Sequence, residues 1–233
     1  VAVGPSVAAG YTPAMVDQLL KRIAAEAKKG DMKIDADAYL AAGRDPSDPV
    51  LLGSGSLEAE IGFFGRDPGR REVEIGEPFI GKGGQLVRSA LYRAAGGEGS
   101  PTLQVSIDIG RRVFWGNTVP FKPLGNKAWS TRIKRRFLPY IRELLTEEWQ
   151  GRELITLGNH AFDWFGLAEP RNKPLLREYW EREERYDSFL EVSLAGKKMR
   201  LYPLPHPSPL NATWHARFPD MLHRRLKQLR WRG

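Results

Sequence analysis

A chain of 233 residues with no cysteine, a formal net charge of +8 and a sequence pI of about 9.8 cannot form disulfides, thiolate zinc sites or cysteine-ligated iron–sulfur clusters. The length suits one core, and the basic balance fits a polyanionic partner as well as plain solubility. Nowhere do about 18 apolar residues run together, and Val1-Ala2-Val3-Gly4-Pro5 holds no basic region leading into an apolar one, so a soluble cytoplasmic protein without membrane contact is expected.

Residues 1–12 read as a flexible arm and 13–233 as a single domain. A helix starts at Pro13, with Met15, Leu19, Leu20 and Ile23 on one face, and Gly30 ends it. Residues 30–56 hold many Asp, Gly, Pro and Ser and read as a connecting loop with one helical turn. Ile61-Gly62-Phe63-Phe64 is a short buried strand that stops at Gly65-Arg66-Asp67-Pro68-Gly69, a turn carrying one carboxylate and one guanidinium. Gly76-Glu77-Pro78-Phe79-Ile80-Gly81-Lys82-Gly83-Gly84 leads into a helix over 85–95. The stretch 103–119, rich in Val, Ile, Phe and Trp, reads as a second strand edge ending at Asn117-Thr118-Val119-Pro120.

Ser130 is placed to cap a basic segment, 131–150, which Pro139 kinks or splits. Leu154-Ile155-Thr156-Leu157, then Gly158-Asn159-His160 and an apolar helix, repeat the strand, turn, helix order. A charged helix over 174–189 follows, then a hairpin over 191–204 whose second arm is weakened by Pro203 and Pro205. That arm delivers His206-Pro207-Ser208-Pro209-Leu210, and a last basic helix begins near Pro219. Strands alternating with helices predict a three-layer α/β/α sandwich around a central, mostly parallel sheet of about four strands. In such a sheet the loops after each strand gather on one edge, so the Asp67, Asn117, Gly158 and His206 loops should converge.

Those loops offer a pocket for a flat polar ring. Phe79 supplies a stacking face, and the Asn117 amide is both donor and acceptor, able to read a Watson–Crick edge. His206 can donate to an oxygen that becomes negative, and Asp67 can orient a water or stabilise a developing cation. In residues and in order, Gly65-Arg66-Asp67-Pro68-Gly69, Gly76-Glu77-Pro78-Phe79-Ile80-Gly81, Asn117-Thr118-Val119 and His206-Pro207-Ser208-Pro209-Leu210 resemble the successive motifs of the uracil-DNA glycosylase superfamily over roughly residues 60–215. The Gly-Glu-Pro-Phe-Ile-Gly piece looks like family 4, and Asp67 with the His206 segment looks like family 1.

The resemblance implies removal of uracil from DNA, to an abasic site, without a covalent lysine intermediate. It implies that Asp67, within the Gly65, Arg66 and Gly69 turn, positions the attacking water while Phe79 stacks on the flipped base. Asn117 bonds the uracil edge, and His206 stabilises the departing anion. Leu210 wedges into the duplex, and Ser208 and Pro207 with the backbone at Gly158 and Asn159 pinch the flanking phosphates. Lys82 and Arg66, beside the motifs, are further candidates for DNA contact. Three departures stand out. Family 4 enzymes carry an iron–sulfur cluster on cysteines, which this chain lacks. Gly69 stands where family 1 has the Tyr that blocks the methyl of thymine. The insert Arg70-Arg71-Glu72-Val73-Glu74 matches neither pattern.

Basic residues interleave with aromatics twice: Arg132, Lys134, Arg135 and Arg136 near Trp129, and Arg224, Arg225, Lys227, Arg230 and Arg232 near Trp214 and Trp231. Either group can neutralise phosphates or form a solvated helix face. Two rival readings remain. Gly76 to Lys82 has the glycine and lysine spacing of a phosphate-binding loop, with Gly83 where a magnesium-holding Ser or Thr belongs. A DNA-binding module without catalysis is the other. His160, His206, His215 and His223 lack metal-ligand spacing, so a monomer acting on uracil-containing DNA without metal or cofactor is expected.

Overall fold

The computed structural model describes residues 13–208 and 211–232. The arm expected over residues 1–12 lies outside them, as do Pro209 and Leu210. Five strands form the central sheet: β1 (Ile61–Gly65), β2 (Phe114–Asn117), β3 (Glu153–Leu157), β4 (Leu190–Leu194) and β5 (Lys197–Leu204). Their order is β2-β1-β3-β5-β4, with β2, β1, β3 and β5 parallel and β4 added antiparallel at one edge. The fifth strand is the first arm of the expected hairpin, turned at Ala195-Gly196, where both residues have positive φ as a two-residue turn requires. Pro203 is accommodated because it lies past the end of the β4 register, which stops at Leu201.

Alternation along the strands sends neighbours to opposite faces. Phe64, Phe114, Leu154 and Leu201 enter one core, with residues from helices α1 (Pro13–Ala27), α6 (Thr131–Glu143), α7 (Asn159–Ala168) and α8 (Lys173–Trp180). Phe63, Trp115, Ile155 and Tyr202 enter the other, against α4 (Lys82–Ala94), α5 (Leu103–Gly110) and α10 (Phe218–Gln228). Two apolar faces, each covered by helices, make the three-layer α/β/α arrangement. Short helices α2 (Ala36–Ala41), α3 (Arg70–Ile75) and α9 (Ala212–His215) decorate it.

Three local expectations change. The stretch 103–119 divides into α5 and β2: the Thr102 hydroxyl accepts from the Val105 N–H and caps a helix that an apolar run alone does not distinguish from a strand. Pro139 lies inside α6 without ending it. That helix, capped by Ser130 as expected, passes instead into a π turn over Leu144–Glu148. The charged segment 174–189 holds α8 only to Trp180, then a 3₁₀ turn over Glu183–Tyr186.

Candidate active site

Strand β1 ends in register with β2, Gly65 opposite Asn117, so both exit loops start from one edge. Thr118 ties them: its N–H donates to the Gly65 carbonyl at 2.9 Å and its hydroxyl to the Arg66 carbonyl at 2.5 Å. The turn thus held points Asp67 inward. Its side chain is 2% exposed, and the Arg66 Nε donates to its Oδ1 at 2.8 Å. Burial pushes the Asp67 carboxyl up to about 6, against the pull of Arg66, Lys134 and Lys122. A carboxylate there is ionised at neutral pH but strongly basic for its kind.

Phe79 stands across from it in a positive-φ conformation, φ 54°, and its ring stacks on Trp115 with centroids 5.1 Å apart. Gly65 makes room, since a Cβ there would come within 2.7 Å of the Phe79 ring and 3.1 Å of the Asn117 Oδ1. The Asn117 side chain is buried, and among the described residues its amide has no hydrogen-bond partner. An amide that lines the cleft beside an aromatic face is suited to a ligand with both donors and acceptors.

Two features that hold Phe79 were not singled out in the sequence. Arg88 is fully buried and donates from Nε to the Phe79 carbonyl at 2.8 Å, from Nη2 to Pro78 at 2.6 Å and from Nη1 to Ser106 at 2.5 Å. A charged residue on the apolar stripe shared by Val87 and Leu91 was the available signal. Glu72, in the unassigned insert, has a clearer role: its carboxylate accepts from the Gly69 N–H at 3.1 Å and the Gly81 N–H at 2.7 Å. It clamps the Asp67 turn to the start of α4, and its bond back to the Gly69 N–H is one half of a capping box, the Gly69 cap having no side chain to supply the other.

The Gly158 and His206 loops close the other side. The Gly158 N–H donates to the Leu204 carbonyl at 2.8 Å, and a Cβ on Gly158, whose φ is 86°, would lie 3.1 Å from the His206 Cβ. His206 reaches solvent at the cleft mouth. Surrounding protein atoms, and then the charges of Arg66 and His160, nevertheless push its pKa below the ordinary histidine value, so the imidazole is neutral at pH 7. Asn159 opens α7 and accepts from the His160 N–H at 2.9 Å. Pro207 is buried, and Ser208 is half-buried.

One cleft of about 920 Å³ is lined by all of the expected site residues among those described: Gly65, Arg66, Asp67, Gly69, Phe79, Lys82, Asn117, Gly158, Asn159, His206, Pro207 and Ser208. Leu210 lies outside the described residues. A family model described as the uracil DNA glycosylase superfamily matches residues 52–230. The chain belongs to that superfamily. It is similar to a type-4 uracil-DNA glycosylase of Pyrobaculum aerophilum, 29% identical over 92 residues, which cover 40% of this chain and 41% of that relative. A cysteine-ligated iron–sulfur cluster does not fit this superfamily member, which has no cysteine to ligate one. Among the described residues no cluster of three or more His, Asp or Glu is placed to hold a metal ion, and no helix is long and apolar enough to cross a membrane.

The phosphate-loop reading of Gly76 to Lys82 does not suit this geometry. Pro78 and Phe79 turn their carbonyls to Arg88, and the Gly81 N–H is taken by the Glu72 carboxylate. A phosphate cradle needs free N–H groups there.

Proposed function

We propose that this protein acts as a monomer that flips uracil out of DNA and hydrolyses its N-glycosidic bond, leaving an abasic site as the first step of base-excision repair. The observation that carries this reading is the meeting of Asp67, Phe79, Asn117 and His206, from four separate loops, in one cleft. Phe79, braced by Trp115, stacks on the flipped base, and Asn117 takes its Watson–Crick edge. Asp67 orients a water whose oxygen bonds to the sugar C1′ as the bond to the base N1 breaks, and it accepts the proton released. The electron pair leaves with the base, and the neutral His206 donates a hydrogen bond to the oxygen that carries the charge.

Acceptance of thymine turns on Gly69. A Cβ there would meet the Glu72 Oε2 at 2.8 Å, so the tyrosine of family 1 cannot occupy this position without moving the Glu72 clamp. The test is single-turnover incubation in EDTA with duplexes bearing one uracil or one mismatched thymine, followed by alkali. Strand breakage at uracil supports the reading, and loss of that breakage in Asp67→Asn ties it to the cleft. Salt-dependent binding of the duplex with no abasic site would instead favour a binding module.

A further inference from the structure

The family match begins at residue 52, yet one residue lining the cleft, Asp35, comes before it. Ile34 bridges antiparallel to Pro123, the Asp35 N–H donates to the Lys122 carbonyl at 3.0 Å, and the Leu124 N–H donates to the Lys33 carbonyl at 2.9 Å. This short ladder brings Asp35 into the cleft beside Lys122, five residues beyond Asn117. The Asp35 carboxylate is divided between two tasks. Its Oδ1 accepts from the Ala38 N–H and caps α2, while its Oδ2 takes the Lys122 ammonium at 2.7 Å.

Lys122 is 3% exposed, and among the described residues its ammonium otherwise reaches only the Pro123 carbonyl, at 3.2 Å. A buried ammonium needs an anion. Of the three carboxylates lining the cleft, Glu72 is taken up by the Gly69 and Gly81 N–H groups, Asp35 is in direct contact with the ammonium, and Asp67 feels the Lys122 charge from farther away. We infer that Asp35 is a positioning residue for Asp67: by holding the Lys122 ammonium on itself, it keeps that cation off the carboxylate that handles the water. The inference rests on the proposed role of Asp67 in the glycosylase reaction.

The charges facing Asp67 come from three elements. Arg66 lies on its own turn, Lys122 on the segment after β2, and Lys134 on α6, itself facing Asp163 and His160 of α7. Asp35→Asn retains an oxygen to cap α2 but frees the ammonium to turn toward Asp67. Lys122→Met removes the cation altogether. The two changes therefore push Asp67 in opposite directions, which a general loss of packing cannot do.

The experiment is a carbon-13 NMR titration of the Asp67 carboxyl in the full chain, assigned by its loss in Asp67→Asn, with pH profiles of single-turnover uracil excision run beside it. Asp35→Asn should lower the Asp67 midpoint by roughly half to one pH unit, and Lys122→Met should raise it by a similar amount, with the acidic limb of the rate profile following. Midpoints that stay put or move in the same direction in both variants overturn the inference. Opposite shifts in a protein that excises no uracil would uphold the Asp35 and Lys122 coupling while removing the glycosylase reading.

Discussion

Asp67, the proposed site of action, is also a site of instability. Its carboxyl titrates near 6 in the folded chain against an ordinary 3.8, so the folded state binds more protons than the unfolded state between those values. Stability therefore falls as pH rises from about 4 to about 6, and the full cost of the buried anion persists above that. About two pH units correspond to roughly 2–3 kcal/mol. Asp67→Asn, which keeps an acceptor for Arg66, should melt several degrees higher than the parent at pH 7.5 and no higher at pH 3.5, while single-turnover excision collapses. Equal melting temperatures at pH 7.5 would mean that the anion is better solvated than its burial indicates. In the parent, excision should lose its rate below about pH 6 as Asp67 takes up a proton, which a pH series with the uracil duplex would show. The identity and loop of Asp67 were legible in the sequence, since a strand stopping at Gly and Pro leaves its polar residues at a sheet edge. Its basicity was not legible, because it comes from burial in the assembled cleft, which outweighs the opposing charges of Arg66, of Lys134 on α6 and of Lys122 after β2.

At the level of elements, the Phe79 turn is held from beneath by α4. Gly84 lets the two backbones touch: a Cβ there would sit 2.1 Å from the Phe79 carbonyl, too close for any side chain. Gly84→Ala should therefore lift the stacking ring out of place, with a stability loss of about 1–3 kcal/mol and a larger fall in excision than in duplex binding, read by chemical denaturation and single-turnover kinetics. Unchanged kinetics would show that the turn adjusts without moving the ring. The helix after this turn was legible from the spacing of Leu86, Ala90 and Leu91. The dependence on Gly84 and Arg88 was not, because close approach and buried carbonyl contacts are properties of a pair of elements. Likewise α3 hid in an insert with no apolar stripe, and α5 hid in an apolar run too short for its period to be read.

Across the whole molecule, the structure sorts the basic residues that composition left undivided. On α6, Arg132 and Arg136 are spent on Asp31 and Glu26 near the end of α1. Arg135, by contrast, lines a groove of about 400 Å³ with Lys173 and Arg177 of α8, and among the described residues these three have no acidic partner within ion-pair distance. Their neutralisation by phosphate should appear as salt dependence. Replacing Arg135 and Arg177 together with Gln should flatten the slope of log affinity against log salt for a long duplex by about 1–2, whereas Arg132→Gln should leave it unchanged and reduce stability slightly. Equal slopes in all variants would place the DNA elsewhere.

The turn at Ala195-Gly196 opens at the opposite edge of the sheet from the cleft, separated from His206 by the 8 residues of β5, roughly 25 Å of strand. It is anchored there by the Lys197 ammonium, which donates to the carbonyls of Leu145 and Trp149. Because the chain contains no cysteine, Lys198→Cys, at an exposed side chain beside that turn, would create a unique thiol. A dye or surface tether joined to it would ride on a rigid strand while leaving the mouth of the cleft open to DNA.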